Sequence, residues 1–276
     1  VMISLDDLGL EQYQFEKIMK IIQKPNGIVL VTGPTGSGKT TTLYACLNER
    51  NDPRYKIITT EDPVEYQVNG IVQVNMNEKV GLTFARCLRS ILRQDPDIVM
   101  VGEIRDLETA AISIEASLTG HLVFSTLHTN DAPSTITRLI DMDVEPFLLT
   151  STVEAVVGQR LVRKLCVFCR KQYEPTDDEL SAIGISREQT GENKIYKADG
   201  CKECQHIGYK GRTGIYEVMT FNDELRDLVL QEASTGEIAK VAIASGMRTL
   251  RGAGINKVLA GITTIEEVLS ETVSDD

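Results

Sequence analysis

A glycine-rich segment near the start of the chain has the residue types and spacing of a phosphate-binding loop. It reads Gly33-Pro34-Thr35-Gly36-Ser37-Gly38-Lys39-Thr40 and lies between an apolar run and a helix-like segment. Its glycines allow successive backbone N–H groups to point at phosphate oxygens, aided by the positive end of the following helix. We expect Lys39 to contact the β- and γ-phosphates of ATP, the Thr40 hydroxyl to bind Mg²⁺, and Thr41 to extend the site. A turn that only joins strand to helix is the alternative, which the complete motif disfavours.

One acidic residue after a later apolar run is a candidate catalytic group. Glu103 comes two residues after the run Ile98–Val101. Because the carboxyl ends of parallel strands face the ligand crevice, we expect Glu103 near the γ-phosphate, where it would orient or deprotonate the attacking water. The aspartate usual at the strand end is absent, since Gly102 stands at its position. The alternative is a surface Glu103 paired with Arg105.

A second acidic group follows the run Ile57–Thr60. Glu61, Asp62 and Glu65 place three carboxylates within five residues. Carboxylates this close repel one another unless a cation or a basic group is near. We therefore predict that Glu61 is a second catalytic or magnesium-organising acid. A solvated turn fixed by Pro63 is the alternative.

Two of the three histidines flank one apolar run, Leu122–Ser125. His128 follows the run, at the end expected to face the ligand, and is a candidate to sense the γ-phosphate by hydrogen bonding. His121 precedes the run, at the opposite end, where direct contact with phosphate is harder to derive. A structural histidine is the alternative for both.

Three arginines recur at spacings of three and four residues and share one face of a predicted helix. They are Arg86, Arg89 and Arg93. A solvated face paired with acids is one interpretation. In an oligomeric ATPase such arginines can instead reach the nucleotide of a neighbouring subunit, and the spacing does not choose between the two.

Four of the six cysteines form two Cys-x-x-Cys pairs, a pattern typical of a structural zinc site. The pairs are Cys166 with Cys169 and Cys201 with Cys204, with 31 residues between them. Each pair can bind one edge of a tetrahedral Zn²⁺, and four thiolates leave no position open for water. A redox dithiol or disulfides are the alternatives, which the lack of an export signal disfavours. Cys46 and Cys87 lie in helix-like segments and are expected in the core.

Apolar runs that alternate with helix-like segments predict the fold that positions these residues. The predicted strands are short and rich in branched residues: Ile28–Val31, Ile57–Thr60, Ile98–Val101 and Leu122–Ser125. The predicted helices are Ser4–Gln23, Thr40–Asn48, Thr83–Gln94 and Leu107–Leu118. This rhythm predicts an α/β core with a mostly parallel sheet and helices on both faces.

The pattern changes after this core, so we predict three regions. They are an α/β core over residues 1–165, a small cysteine-bearing insert over 166–211 and a C-terminal helical subdomain over 212–276. Two hydroxyl–carboxylate pairs in the last region, Ser234 with Glu237 and Thr264 with Glu267, fit capping boxes that begin helices.

The net charge and the hydropathy of the chain argue against direct binding of nucleic acid and against a membrane-spanning segment. The net charge of −11 repels phosphate backbones, so we do not expect direct binding of nucleic acid. No apolar run reaches the roughly 18 residues that a membrane-spanning helix needs. The first residues carry no secretory signal. Because the chain begins at Val1 rather than Met, we expect it to be part of a longer protein.

Several segments together resemble the secretion ATPases of the type II secretion and type IV pilus assembly family. Three motifs carry the resemblance: Leu92–Asp106 resembles the family signature, Thr60–Tyr66 its acidic box, and Thr119–His121 with Ser125–Asn130 its histidine box. The tetracysteine element is similar to that of members that assemble pili or drive secretion, and retraction motors lack it. The resemblance covers essentially the whole chain.

The resemblance implies a RecA-like P-loop NTPase core that works in a homo-hexameric ring at the cytoplasmic face of the bacterial inner membrane. ATP turnover would rotate or lift an inner-membrane platform protein, so the motor would be peripheral at the membrane through its partner. Glu103 would take the catalytic glutamate role, His128 a nucleotide-sensing one, and His121 is carried over as well. Family members also have domains upstream of this chain, with arginines that complete the site.

The sequence analysis therefore predicts a Mg²⁺-dependent ATPase motor for pilus assembly or type II secretion. Two alternatives remain. A related RecA-like motor for uptake or transfer of DNA would need a basic channel, which the net charge disfavours. A nucleotide-gated zinc adaptor would bind ATP tightly without releasing phosphate.

Overall fold

A computed structural model of the chain describes residues 4–273 and contains a seven-stranded sheet. The strands are β1 (Gly27–Thr32), β2 (Ile57–Glu61), β3 (Ile71–Asn75), β4 (Ile98–Val101), β5 (Leu122–Leu127), β6 (Val153–Leu165), β7 (Lys171–Gln172), β8 (Tyr196–Lys197) and β9 (Tyr209–Thr220). The strand order in the sheet is β3-β2-β4-β5-β1-β6-β9, and every pair from β3 to β6 is parallel. Strands β7 and β8 form a separate antiparallel pair. The predicted α/β architecture with a mostly parallel sheet is confirmed.

Helices connect the strands, as parallel pairing requires. They are α1 (Gln12–Ile22), α2 (Lys39–Glu49), α3 (Phe84–Leu92), α4 (Leu107–Leu118), α5 (Ala132–Asp141), α6 (Pro146–Thr152), α7 (Asp177–Ala182), α8 (Arg187–Thr190), α9 (Asp223–Leu230), α10 (Thr235–Ala244), α11 (Leu250–Leu259) and α12 (Ile265–Glu271). Short 3-10 helices cover Leu5–Leu8, Glu78–Val80 and Lys202–Cys204. None of the helices in residues 4–273 has both the length and the apolar character needed to cross a membrane.

The central strands are apolar because both faces of the sheet are covered. All residues of β1, β2, β4 and β5 are buried. One large core cluster joins apolar residues of β1 and β5 to helices α4, α5, α9 and α10. A second cluster packs helix α3 against β2 and β4. The four runs predicted as strands lie within these four buried strands.

Contacts between residues divide the chain into two compact units. The first combines Val1–Gln159 with Val218–Met247, and the second combines Arg160–Glu217 with Arg248–Asp276. The second unit has its own apolar clusters, one of which packs helix α7 against α11 and α12. Each unit is built from two separate stretches of sequence. The three consecutive regions defined from the sequence stay a prediction.

The N-terminal segment differs from its prediction as one helix over Ser4–Gln23. A 3-10 helix ends at Gly9, which has a φ of +86°, and α1 begins only at Gln12. A left-handed glycine ends a helix because it turns the chain out of the helical path. The apolar stripe of this region therefore belongs to α1 alone, where Ile18, Ile21 and Ile22 are buried.

The capping boxes predicted in the last region have different outcomes. Ser234 and Glu237 exchange side-chain and backbone hydrogen bonds at the start of α10, as predicted. The Thr264 hydroxyl accepts from the Glu267 N–H, but the Glu267 carboxylate does not reach back to Thr264. It binds Arg163 instead, through the Arg163 backbone N–H at 2.8 Å and its guanidinium at 2.5 and 2.8 Å. The second prediction is therefore only half correct, because an arginine distant in sequence competes for the carboxylate.

Candidate nucleotide and metal sites

The glycine-rich loop lies where β1 ends and α2 begins. Three glycines give it its curvature, with positive φ values at Gly33 (+151°), Gly36 (+80°) and Gly38 (+87°). Pro34, Thr35 and Gly36 are exposed, whereas the residues on either side of them are buried. The loop therefore presents backbone at the surface beside the amino end of a helix, which is the arrangement that binds phosphate.

Lys39 is the first residue of α2, and its side chain folds back over the loop. The Lys39 ammonium donates to the carbonyl oxygens of Gly33 at 2.8 Å and Pro34 at 3.0 Å. Lys39 is only 9% exposed, so its charge is held at the loop. Thr40 and Thr41 follow on the first turn of α2 and are partly buried. The predicted binding residues Gly33 to Thr41 thus form the loop and the start of its helix, with Pro34, Thr35 and Gly36 exposed.

Gln159 of β6 contacts this loop, although no sequence motif identifies it as a residue of the site. Its amide nitrogen donates to the Ser37 carbonyl at 2.7 Å, and its amide oxygen accepts from the Thr42 hydroxyl at 2.7 Å. Gln159 is 1% exposed. The signal in the sequence that could have identified Gln159 is its polar side chain two residues after the apolar run Ala155–Val157, because a polar group in a buried strand needs hydrogen-bond partners.

Glu103 and His128 end neighbouring strands and face each other. The distance from Glu103 Oε2 to His128 Nε2 is 3.5 Å, and Glu103 Oε1 accepts from the Arg105 guanidinium at 2.5 Å. The hydrogen bond to Glu103 raises the pKa of Arg105, with further contributions from the charges of Glu103, Asp62 and Glu78. The Glu103 side chain is 17% exposed, against 54% for Arg105. Glu103 is therefore paired with Arg105, as the alternative interpretation held, but it is not a freely solvated surface group.

The backbone that carries Glu103 is fixed on both sides. The Gly102 N–H donates to the Thr60 carbonyl of β2 at 2.8 Å, and the Thr126 hydroxyl of β5 donates to the Gly102 carbonyl at 2.7 Å. A Cβ at Gly102 would lie 3.2 Å from the Phe84 ring and 3.2 Å from the Thr60 oxygen. A side chain at position 102 would therefore require the Phe84 ring or the Thr60 backbone to shift, so this crowding disfavours the usual aspartate there.

The sheet order sets the distances between the strand ends. Strand β5 lies between β4 and β1, so Glu103 is two strands from the loop, roughly 10 Å across the sheet. The Thr32 and Thr129 hydroxyls at the ends of β1 and β5 lie 2.5 Å apart, and the Thr129 N–H donates to Thr32 at 3.0 Å. This contact holds the segment that carries His128 against the start of the loop.

Glu61 ends β2 and is enclosed by hydrogen-bond donors. Its carboxylate accepts from the Tyr44 hydroxyl of α2, from the Thr59 hydroxyl, and from the Gln73 amide of β3 at 3.2 Å. Glu61 is 2% exposed. Burial, then the hydrogen bond and charge of Glu61, raise the pKa of Tyr44 well above its ordinary value, so its hydroxyl stays protonated. Glu61 is thus a buried group connected to the helix that starts at Lys39.

His121 lies at the amino end of β5, about 20 Å along the strand from His128. Its Nδ1 contacts the Ala116 carbonyl at 2.8 Å and the Thr119 hydroxyl at 3.2 Å, both at the end of α4. These contacts are those of a structural histidine within this chain.

The three arginines of the predicted helix are exposed on or beside α3. Arg89 pairs with Glu108 at 2.7 Å, and both side chains are more than half exposed. Arg86 donates to the Gly81 carbonyl at 3.3 Å. These contacts match the interpretation of a solvated face.

The four paired cysteines come together in the second unit. All four sulfur atoms lie within 4.8 Å of one another, with Cys166–Cys201 at 3.9 Å, Cys169–Cys204 at 3.8 Å and Cys201–Cys204 at 3.8 Å. A tetrahedron with Zn–S bonds of about 2.3 Å has sulfur atoms about 3.8 Å apart. The donor set and its spacing therefore fit Zn²⁺.

Backbone groups favour a thiolate at Cys204, whereas burial and the neighbouring thiols raise the pKa of the Cys169 thiol to about 12. Burial raises the pKa of the Cys204 thiol, but N–H groups of Cys201 and Gly208 donate to its sulfur and, with the neighbouring thiols, lower the pKa to about 6. The nearby His206 is exposed and contacts the cluster only through its backbone N–H, which donates to the Cys201 carbonyl. Cys46 and Cys87 are buried in the first unit, apart from the cluster, as expected of small core residues.

The fold and the loop define an α/β protein of the P-loop nucleotide-binding class. The family model for Type II/IV secretion system proteins matches residues 1–270, so the chain belongs to this family. The resemblance inferred from the sequence motifs is thereby confirmed.

Individual relatives come from both branches of the family. The chain is 52% identical over 270 residues to the Type II secretion system protein E of Pseudomonas aeruginosa, covering 98% of this chain and 53% of that protein. It is 49% identical over 274 residues to the Type IV pilus assembly ATPase PilB of Myxococcus xanthus, covering 99% of this chain and 48% of that protein. The chain therefore spans about half the length of these curated relatives.

A solved structure supports the same fold. The pilus retraction motor PilT, crystallised with bound ADP, superposes on the chain with a TM-score of 0.74 and 29% sequence identity. The alignment covers 100% of this chain and 68% of that one. The RecA-like P-loop core implied by the motifs is confirmed.

Proposed function

We propose that the chain is the catalytic part of a Mg²⁺-dependent ATPase motor that drives type IV pilus assembly or type II protein secretion. The reaction is hydrolysis of ATP to ADP and phosphate. The observation that carries the proposal is the loop over Gly33–Thr40 with the Lys39 ammonium held against it, beside a strand end that presents Glu103. The names of the relatives support the motor role.

The roles follow from position. Backbone N–H groups of residues 33–40 bind the phosphates, and Lys39 exchanges its carbonyl contacts for the β- and γ-phosphate oxygens. Glu103 orients or deprotonates the attacking water, and His128, at 3.5 Å from Glu103, senses the γ-phosphate. Glu61 acts as a second acid that organises the site while connected to α2 through Tyr44.

Two metal ions have separate tasks in this proposal. The Thr40 hydroxyl, on the first turn of α2, would hold Mg²⁺, which would supply positive charge to the phosphates of the bound nucleotide. Cys166, Cys169, Cys201 and Cys204 would hold Zn²⁺ as a structural ion, since four thiolates would leave no position open for water.

Membership of the family supports a proposal for assembly and location. We propose a homo-oligomer, a hexameric ring, that acts at the cytoplasmic face of the bacterial inner membrane through an inner-membrane platform protein. The net charge of −11 supports a protein partner over direct contact with nucleic acid.

The test measures ATP binding and phosphate release separately. Lys39→Ala is expected to weaken ATP binding or abolish turnover, because it removes the ammonium that is held against the loop where the phosphates would bind. Lys20→Ala, on the exposed side of α1, is the matched control and should behave like the native protein. Near-native hydrolysis by Lys39→Ala would remove the proposed site.

A further inference from the structure

The phosphate-binding loop has a support on the side of β6 that its own sequence motif does not contain. The buried Gln159 side chain makes two hydrogen bonds in this region. Its amide nitrogen donates to the Ser37 carbonyl and its amide oxygen accepts from the Thr42 hydroxyl, each at 2.7 Å. Ser37 belongs to the loop, and Thr42 lies on the first turns of the helix that follows it. One side chain therefore bridges the loop and its helix.

The backbone of Gln159 also limits the path of the loop. A Cβ at Gly33 would lie 2.5 Å from the Gln159 carbonyl oxygen and 2.6 Å from the Ser37 hydroxyl oxygen. Real Cβ atoms do not approach backbone oxygens so closely, so only glycine fits where the loop leaves β1. The Gln159 side chain thus bonds to Ser37 of the loop and to Thr42 of the helix, and its backbone carbonyl leaves no room for a side chain at Gly33.

The amide of Gln159 matches its two partners. The Ser37 carbonyl needs a donor and the Thr42 hydroxyl needs an acceptor, and the amide nitrogen and oxygen of Gln159 supply one each. The shorter Asn would not span both partners from the same backbone position. Glu would keep the acceptor, lose the donor and bring a negative charge beneath a loop that binds phosphate.

We propose that Gln159 is a positioning residue that holds the phosphate-binding loop in its nucleotide-binding conformation. This inference rests on the proposed nucleotide site. Gln159 touches the loop and not the phosphates, so its effect is on how well the N–H groups are preorganised. Without the bridge, Ser37 and its neighbours can adopt other conformations in the free protein. The free energy needed to order them then opposes ATP binding and lowers the affinity.

The experiment compares ATP affinity with stability in variants of the protein. Gln159→Met keeps the length and volume of the side chain but removes both hydrogen bonds. We expect its Kd for a non-hydrolysable ATP analogue with Mg²⁺ to rise about tenfold, as calorimetry would measure. Gln159→Glu should weaken binding further because of its charge.

Two sets of controls separate positioning from general stability. Val156→Ala shortens a buried side chain three residues before Gln159, on the opposite face of β6, so it should lower the melting temperature without removing a hydrogen bond to the loop. Thr42→Val removes one arm of the bridge and should raise Kd by about threefold, whereas Thr42→Ser keeps the hydroxyl and should bind like the native protein.

The outcomes decide the proposal. A rise in Kd for Gln159→Met and Thr42→Val, with none for Thr42→Ser and Val156→Ala, supports it. A Gln159→Met protein that binds within twofold of the native Kd, or that loses no more affinity than Val156→Ala at a similar melting temperature, overturns it. If Gln159→Met does not fold, the Thr42 pair gives the decision. Failure of the native protein to bind nucleotide would overturn the proposed function and this inference together.

Discussion

The carboxylate of Glu103 and the imidazole of His128 lie 3.5 Å apart although the two residues are 25 positions apart in the sequence. They follow neighbouring parallel strands, β4 and β5, which pair from Ile98 and Leu122 to Val101 and Ser125. The parallel sheet therefore brings an acid and a histidine together at its carboxyl edge, where ligands bind in such folds.

This pair leads to the first prediction, which concerns Glu103→Gln. The amide keeps the size of the side chain but cannot accept a proton from water, so ATP should still bind while kcat falls about 10²- to 10⁴-fold. Phosphate release under saturating ATP and a separate binding measurement check both parts. Glu108→Gln, which removes the charge of an exposed partner of Arg89, is the control and should leave both unchanged. An undiminished kcat in Glu103→Gln would exclude it from the mechanism.

The second prediction concerns the contact between Tyr44 and Glu61. Tyr44→Phe removes one donor from a buried carboxylate and keeps the ring, which packs edge-on against Tyr66 at 4.8 Å between centroids. We expect the free energy of unfolding to fall by about 2 kcal/mol, since a hydrogen bond to a charged group is lost in the interior. Chemical denaturation measures this change. Tyr66→Phe is the control, because Tyr66 contributes its ring and backbone carbonyl to the network; a loss as large as in Tyr44→Phe would contradict the assignment.

The parts of this structure that could be predicted from sequence are those with local causes. The strand before the loop and the helix after it follow from a buried apolar run and a complete motif around Lys39. The N-terminal helix was mispredicted because the left-handed φ of Gly9 divides it. The capping box predicted for Glu267 is only half correct, because Arg163 binds the Glu267 carboxylate instead. Arg163 lies 104 residues away, so local spacing in the sequence does not reveal this partner.

Strand β6 shows most clearly what the sequence hides. Its 13 residues include Gln159, Arg160, Arg163 and Lys164, so its second half does not have the continuous apolar character of the other buried strands. The partners that explain Gln159 lie 117 and 122 residues earlier in the chain. Only the folded sheet, in which β6 pairs with β1, reveals that this glutamine supports the loop.

The third prediction concerns zinc. Metal analysis of protein purified without chelators should find about one zinc ion per chain, because four sulfur atoms at tetrahedral spacing bind it. Cys166→Ser should lower the zinc content and the stability of the second unit, since binding energy at a structural site contributes to folding. Cys87→Ser is the control: it changes a cysteine buried in the first unit and should keep the metal. Protein without zinc, in which mass spectrometry shows disulfides between these cysteines, would contradict the site.

The fourth prediction concerns Gly102, where aspartate is usual in P-loop proteins. Gly102→Asp should not restore a magnesium ligand, because its Cβ would crowd the Phe84 ring and the Thr60 carbonyl, both at 3.2 Å. We expect the free energy of unfolding to fall by about 1–3 kcal/mol from overpacking, with no gain in Mg²⁺ affinity.

The matched control for this change is Gly236→Asp. Gly236 lies on the first turn of α10, where an added Cβ meets nothing within 4 Å and an acidic residue is favoured by the helix amino end. The control should therefore be at least as stable as the native protein in thermal unfolding. If Gly102→Asp were equally stable and bound Mg-ATP more tightly, the space beside β4 would be larger than the Phe84 contact indicates, and the absence of aspartate there would need another cause.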